Sequence, residues 1–138
     1  MINMIKFPAI VFSKPSIIEL VYGQEELTTC NKLALKNGYF SHLQIIDSSG
    51  MRYLVEGAEK IGTVGNFWGY NIFLNQKIRV KLVFKGVGET VSLEEVKEMV
   101  LVSFKEWGGW SAREDFDDLK KELKNAGTLA QLISLFNR

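Results

Sequence analysis

The chain of 138 residues contains one cysteine, one histidine and two prolines. A lone Cys30 excludes an internal disulfide, and Cys30 with His42 alone cannot assemble a Cys/His zinc site. Neither sign of charge dominates: 17 Lys+Arg stand against 16 Asp+Glu, a net +1 that excludes a strongly basic nucleic-acid binder or an acidic tail. Pro8 and Pro15 lie in the first fifteen residues, and no repeat, low-complexity tract or Pro/Ser-rich linker divides the chain. Long apolar runs are missing as well. Lys6, Pro8, Lys14 and Pro15 interrupt the apolar beginning, and the longest uncharged stretch, Ile61–Gln76, carries Gly62, Gly65, Gly69, Asn66, Asn71 and Asn75. Together these gaps predict one domain over 1–138 with no membrane span. With no export signal and a single thiol, they predict a cytoplasmic location.

What is present is an ordinary globular composition, 46% hydrophobic and 24% charged. A chain of this length buries roughly two-thirds of its unfolded surface, enough for a core without staples. Residues 1–88 carry 10 basic and 6 acidic side chains, whereas residues 89–138 carry 7 and 10, and the pattern of elements changes at the same point. The first part reads mainly as strands. Ile5–Phe12 and Ile17–Tyr22 are rich in β-branched and aromatic residues; His42–Asp47 and Met51–Glu56 flank the turn-forming Asp47-Ser48-Ser49-Gly50 and predict a hairpin. Phe67–Leu74 and Ile78–Phe84 suggest a second hairpin about Asn75-Gln76-Lys77. Ile78, Val80, Leu82 and Phe84 alternate with Lys77, Arg79, Lys81 and Lys85, which gives one buried and one wet face. Glu25–Lys36 fits a helical stripe of Leu27, Cys30, Leu33 and Ala34 ended by Asn37-Gly38, although Asn-Gly is equally a hairpin turn; the helix is preferred.

Three helices are expected after residue 88. Ser92-Leu93-Glu94-Glu95, Ser111-Ala112-Arg113-Glu114 and Thr128-Leu129-Ala130-Gln131 have the form of capping boxes, and Gly108 and Gly127 stand where left-handed caps end the preceding helices. Helices over 93–107, 112–125 and 129–137 then present Leu93/Val96/Val100/Phe104, Phe116/Leu119/Leu123/Ala126 and Leu129/Leu132/Ile133/Phe136 to a common core. The expected class is α+β: an antiparallel sheet of about five to six strands with the C-terminal helices packed on one face.

Signals of chemistry are sparse. Cys30 with His42, and Asp47 as orienter, is the only nucleophile–base combination of a familiar kind, but nothing in the spacing supports it, and a buried structural cysteine and a strand-surface histidine account for both residues. Lys85-Gly86-Val87-Gly88-Glu89-Thr90-Val91 lacks the third glycine of a dinucleotide loop, has Glu89 where a phosphate would sit, and reads as a strand-to-helix loop. No catalytic residue, cofactor or metal site is assigned. Lys77, Arg79, Lys81 and Lys85 beside Phe67, Trp68, Tyr70 and Phe73 suggest a single-stranded nucleic-acid platform, which the balanced net charge argues against. From Glu89 to Asp118 nine side chains are acidic and three basic. The carboxylates in the first helical turns complement the helix dipoles, but Asp117 and Asp118 lie beyond the cap, next to the Trp107-Gly108-Gly109-Trp110 corner. Trp110, Glu114, Asp115, Asp117 and Asp118 are therefore candidate contacts for a basic protein partner. An alternative is a small-ligand or enzymatic pocket lined by His42, Arg52, Trp68 and Tyr70.

The order of pieces resembles the small immunity proteins encoded beside bacterial polymorphic or contact-dependent toxins. The resemblance rests on Ile46-Asp47-Ser48-Ser49-Gly50-Met51-Arg52-Tyr53-Leu54-Val55, on Ile78–Phe84, on Ser92–Glu95 opening a helix, on Trp110-Ser111, and on the terminal Ala130–Phe136. It implies a cytoplasmic, non-enzymatic inhibitor that binds one toxin domain. It carries over no particular binding residue, and the near-neutral charge departs from the acidic character common among antidotes of nucleases.

Overall fold

In the computed structural model, which describes residues 5–13, 17–36, 38–63, 77–106 and 111–136 (backbone alone at 31–33, 63 and 77), strand β1 (Ala9–Ser13) is buried on both faces. Successive side chains of a strand point to opposite faces, so one apolar strand can serve two cores. Ile10 and Phe12 join a cluster with the C-terminal helices, while Ala9 and Val11 join a second cluster on the other side of the sheet.

The sheet is antiparallel, in the order β2 (Ile17–Val21), β1, β4 (Gln44–Ile46), β5 (Met51–Thr63), β6 (Lys77–Phe84), β3 (Thr29–Asn31), with the short β7 (Glu89–Thr90) paired to the start of β5. The class is α+β, as expected. Strand β5 runs well past Glu56, where the expected strand ended. Its pairing with β6 shifts register between Val55 and Gly57 and again between Lys60 and Gly62. Each shift inserts a residue on one side, bending the strand and steepening its twist, and the sheet curls around the second cluster.

Helices α3 (Leu93–Glu106), α4 (Phe116–Asn125) and α5 (Leu129–Ser134) cover the outer face. Their stripes are the expected ones: Val96, Val100, Phe104, Leu119, Leu123, Leu132 and Ile133 are buried together. Burial of each leucine contributes about 2 kcal/mol. In two boxes the hydroxyl half forms as expected, since Ser92 Oγ accepts from the Glu95 amide at 3.1 Å and Thr128 Oγ1 from the Gln131 amide at 3.1 Å; in the first, the Glu95 carboxylate accepts from the Ser92 hydroxyl at 3.5 Å and not from the Ser92 amide as expected. In the second, the Gln131 carboxamide oxygen takes the Gly127 amide at 2.6 Å rather than that of Thr128.

Several expectations are corrected. Strand β1 begins at Ala9, not Ile5, and His42 ends a 3-10 turn (Tyr39–His42) that precedes β4 instead of starting it. The helix expected over 112–125 begins at Phe116, because Arg113 and Asp115 lock each other in a two-pronged ion pair just before it. Gly127 is not a left-handed cap: α4 ends at Ala126 in extended conformation. The single helix expected over Glu25–Lys36 is instead α1 (Gln24–Thr28), strand β3 and α2 (Lys32–Lys36). The β-branched Thr29 leaves the helix in extended conformation, and β3 takes the open edge of β6, with Cys30 opposite Ile78. Gly38, with φ of 73°, does close α2 in the left-handed region, its amide bonded to the Leu35 carbonyl. The second hairpin falls on Phe67–Leu74, outside the described residues; β6 is flanked by β5 and β3. Among the described residues no helix is long and apolar enough to cross a membrane.

Candidate functional site

Curling brings the two ends of the sheet, β2 and β3, toward one opening, and α1 runs between them in the chain. Between these edges lies a cavity of about 230 Å³. Its floor is apolar: Val11 of β1, Leu27 of α1, and Phe40 and Leu43 from around the 3-10 turn, all buried in the second core. Polar groups ring it. Glu19 of β2 and Glu26 of α1 are exposed, whereas Thr29, Cys30 and Tyr39 are partly buried.

Tyr39 organises this rim. Its ring stands edge-on to Phe40, with centroids 4.9 Å apart and planes at 82°, and its hydroxyl faces the side chains of Ser13 and Glu19. Burial, then the Glu19 charge, pushes the Tyr39 phenol above its ordinary value. Burial likewise pushes the Cys30 thiol up, away from the thiolate a nucleophile needs.

The candidates read from sequence lie elsewhere. His42 is exposed at the end of the 3-10 turn. Arg52 sits opposite Ile46 while Leu43 pairs with Val55, three residues further along β5, so His42 and Arg52 are separated by roughly 10 Å of strand. Arg52 is instead ion-paired to Glu89 on β7. Trp68, Tyr70 and Trp110 fall outside the described residues. Asp47 does not orient a histidine: it is fully buried and accepts from the amides of Lys6, Ser49 and Met51 and from the Ser49 hydroxyl, which clamps the β4–β5 turn. The loop with Gly86 and Gly88 is a packing device. Gly86 has φ of 76°, and a Cβ on Gly88 would stand 2.6 Å from the Tyr53 ring.

No protein-family model, curated protein or solved structure matches this chain. The geometry itself therefore carries the functional argument. Among the described residues no group of three or more His, Cys, Asp or Glu is placed to hold a metal ion.

The acidic candidates gather at the head of α4. Glu114, Asp117 and Asp118 are exposed, and none of the three forms an ion pair among the described residues. Asp115 is half-buried, with its carboxylate held by Arg113. On the basic side, Lys81 stands opposite Glu59 across the β5–β6 pair, which counters part of the cationic row. Lys85 and Arg79 are exposed, and their expected aromatic neighbours lie outside the described residues.

The cavity could not be read from sequence because its lining is scattered over β1, β2, α1, β3, α2 and the 3-10 turn. The one available hint was the run Tyr39-Phe40 after Asn37-Gly38, an aromatic pair directly following a turn.

Proposed function

We propose that the chain is a non-enzymatic protein-binding domain that works as immunity proteins do, by covering the working surface of a bacterial toxin inside the cytoplasm. The observation that supports this reading is the head of α4. Leu119 and Leu123 are fully buried and fix the helix on the core, while Glu114, Asp117 and Asp118 point to water without a cationic partner among the described residues. Charges held on a rigid element, at little entropy cost on binding, can steer a basic partner and set its orientation. Asp115 belongs to the same acidic group, with its carboxylate held by Arg113.

The test is purification of the tagged protein from its source cells, with light scattering and mass spectrometry of what co-elutes, repeated with Asp117→Lys/Asp118→Lys. A stoichiometric basic partner whose association slows by about tenfold in the variant, and slows with salt for the native chain, is expected. A partner indifferent to the reversal, or a chain that elutes alone from cells that make the neighbouring proteins, overturns the reading. The cavity between β2 and β3 favours a second reading, the binding of a small ligand.

A further inference from the structure

We infer that the cavity between the two sheet edges is a binding site for a small organic cation, an ammonium group carried on a compact apolar body. The inference rests on the small-ligand reading of that cavity and adds the chemistry of what it takes.

Among the described residues its charged lining is all of one sign. Glu19 and Glu26 reach the rim from β2 and α1, and no described lysine, arginine or histidine side chain lines the space. The two carboxylates come from different elements on the same opening, so a cation at the mouth can accept both as partners. Hydrogen bonds between an ammonium and a carboxylate are among the stronger ones available to a protein. Tyr39 adds two features: its hydroxyl faces Glu19 at the rim, and its ring lines the same space, where an aromatic face attracts a cation.

Below the rim the walls change character. Val11, Leu27, Phe40 and Leu43 are buried and offer no polar atom from their side chains. The volume, about 230 Å³, lies below that of pockets for drug-sized molecules, about 300 Å³ and upward, yet exceeds the roughly 150 Å³ that accommodates a benzene ring. One ring or a short branched alkyl group fits, with its ammonium toward Glu19 and Glu26. A carboxylate or phosphate at that mouth would meet two like charges. The opening lies between edge strands that the sheet leaves unpaired to one another, so entry requires no rupture of a strand ladder.

Calorimetric titration with three near-isosteres decides the matter: phenethylamine, phenethyl alcohol and 3-phenylpropionate, at neutral pH and low salt. The amine is expected to bind about tenfold or more tightly than the alcohol, with no heat from the acid. In the double variant Glu19→Gln/Glu26→Gln the advantage of the amine should fall to within about twofold while the alcohol binds as before. Both substitutions are at exposed positions, so an unchanged melting temperature serves as the control for folding. Equal binding of amine and alcohol overturns the cation inference but leaves a ligand cavity standing. Binding of none of the three up to about 10 mM removes both, and preferential binding of the acid overturns the assigned charge. Ala34→Phe, which fills the space from α2, should abolish binding of amine and alcohol alike; retention of either places the site elsewhere.

Discussion

Ile45 and Ile46 are neighbours in β4, both fully buried, and belong to different cores: Ile45 faces the curled interior with Tyr53 and Val55, and Ile46 faces the helical layer with Val96 and Leu132. One strand thus ties the two halves of the molecule, and a slip of one residue would exchange both sets of contacts.

Truncation to alanine at either position should destabilise the fold by about 2–5 kcal/mol, the range for an isoleucine removed from a packed core. Because the side chains share no packing partners, the double variant should lose close to the sum. Urea titrations of the three variants measure this. A double variant no worse than the poorer single one would show that the two clusters behave as one.

Asp47 ties the β4–β5 turn to the segment before β1. Asp47→Ala strips acceptors from three backbone amides and the Ser49 hydroxyl at once, and an abandoned buried donor costs about 1–3 kcal/mol. A loss of about 3 kcal/mol or more is expected. Asp47→Asn keeps an oxygen for Ser49 and Met51 but turns an amide toward the Lys6 N–H, so its loss should be near 1 kcal/mol. Equal losses in the two variants, measured by chemical denaturation, would show that the charge of the carboxylate, not its acceptor geometry, matters.

This turn was legible in the sequence, since Asp-Ser-Ser-Gly between two apolar runs permits little else, and Gly50 indeed takes a φ of 86°. The three helical stripes were legible for the same reason: periodicity and caps are local. What escaped was set by distant partners. Thr29-Cys30-Asn31 is a strand only because β6 offers an edge, and the continuation of β5 beyond Glu56 depends on bulges at Gly57 and Gly62 that weaken its alternation. The site was less legible than the fold. Glu114, Asp117 and Asp118 stand exposed as a charged helix start implies, but His42 and Arg52 lie on separate parts of the sheet, and the cavity joins residues from β1 to the 3-10 turn that no spacing rule connects.

Gly88 is the position where the smallest change should have a large effect. A methyl group there would meet Tyr53 Cε1 at 2.6 Å and Cδ1 at 3.1 Å, and the Met51 methyl at 3.2 Å. Tyr53 is buried between Val55 and Phe84 in the interior cluster and has little room to retreat. Gly88→Ala is therefore expected to cost about 1–3 kcal/mol, as overpacking does. The combination with Tyr53→Leu, which removes the ring from the clash, should recover part of the loss relative to the sum of the two single variants. A melting temperature unchanged by Gly88→Ala would mean that the β6–β7 loop shifts freely and is not seated on Tyr53.

Tyr39 supplies a pH dependence with a definite sign. Its burial and the nearby Glu19 carboxylate both disfavour the phenolate, so the proton is held more tightly in the native chain than in the unfolded one, where tyrosine titrates near pH 10. The stabilisation is complete below about pH 10 and disappears as pH rises through the raised native value, because the unfolded chain loses its proton first. Tyr39→Phe removes the hydroxyl that faces Ser13 and Glu19, and should destabilise by about 1 kcal/mol at pH 8. Between pH 9 and about pH 11 the variant should lose stability less steeply than the native chain, so the gap between them narrows. Tyr53 is also raised, first by burial and then by Asp47, and contributes equally to both proteins, so it cancels in the comparison. Urea unfolding midpoints at intervals across this range test the claim. Curves that stay parallel would show that the Tyr39 hydroxyl is as well solvated in the native chain as in the unfolded one.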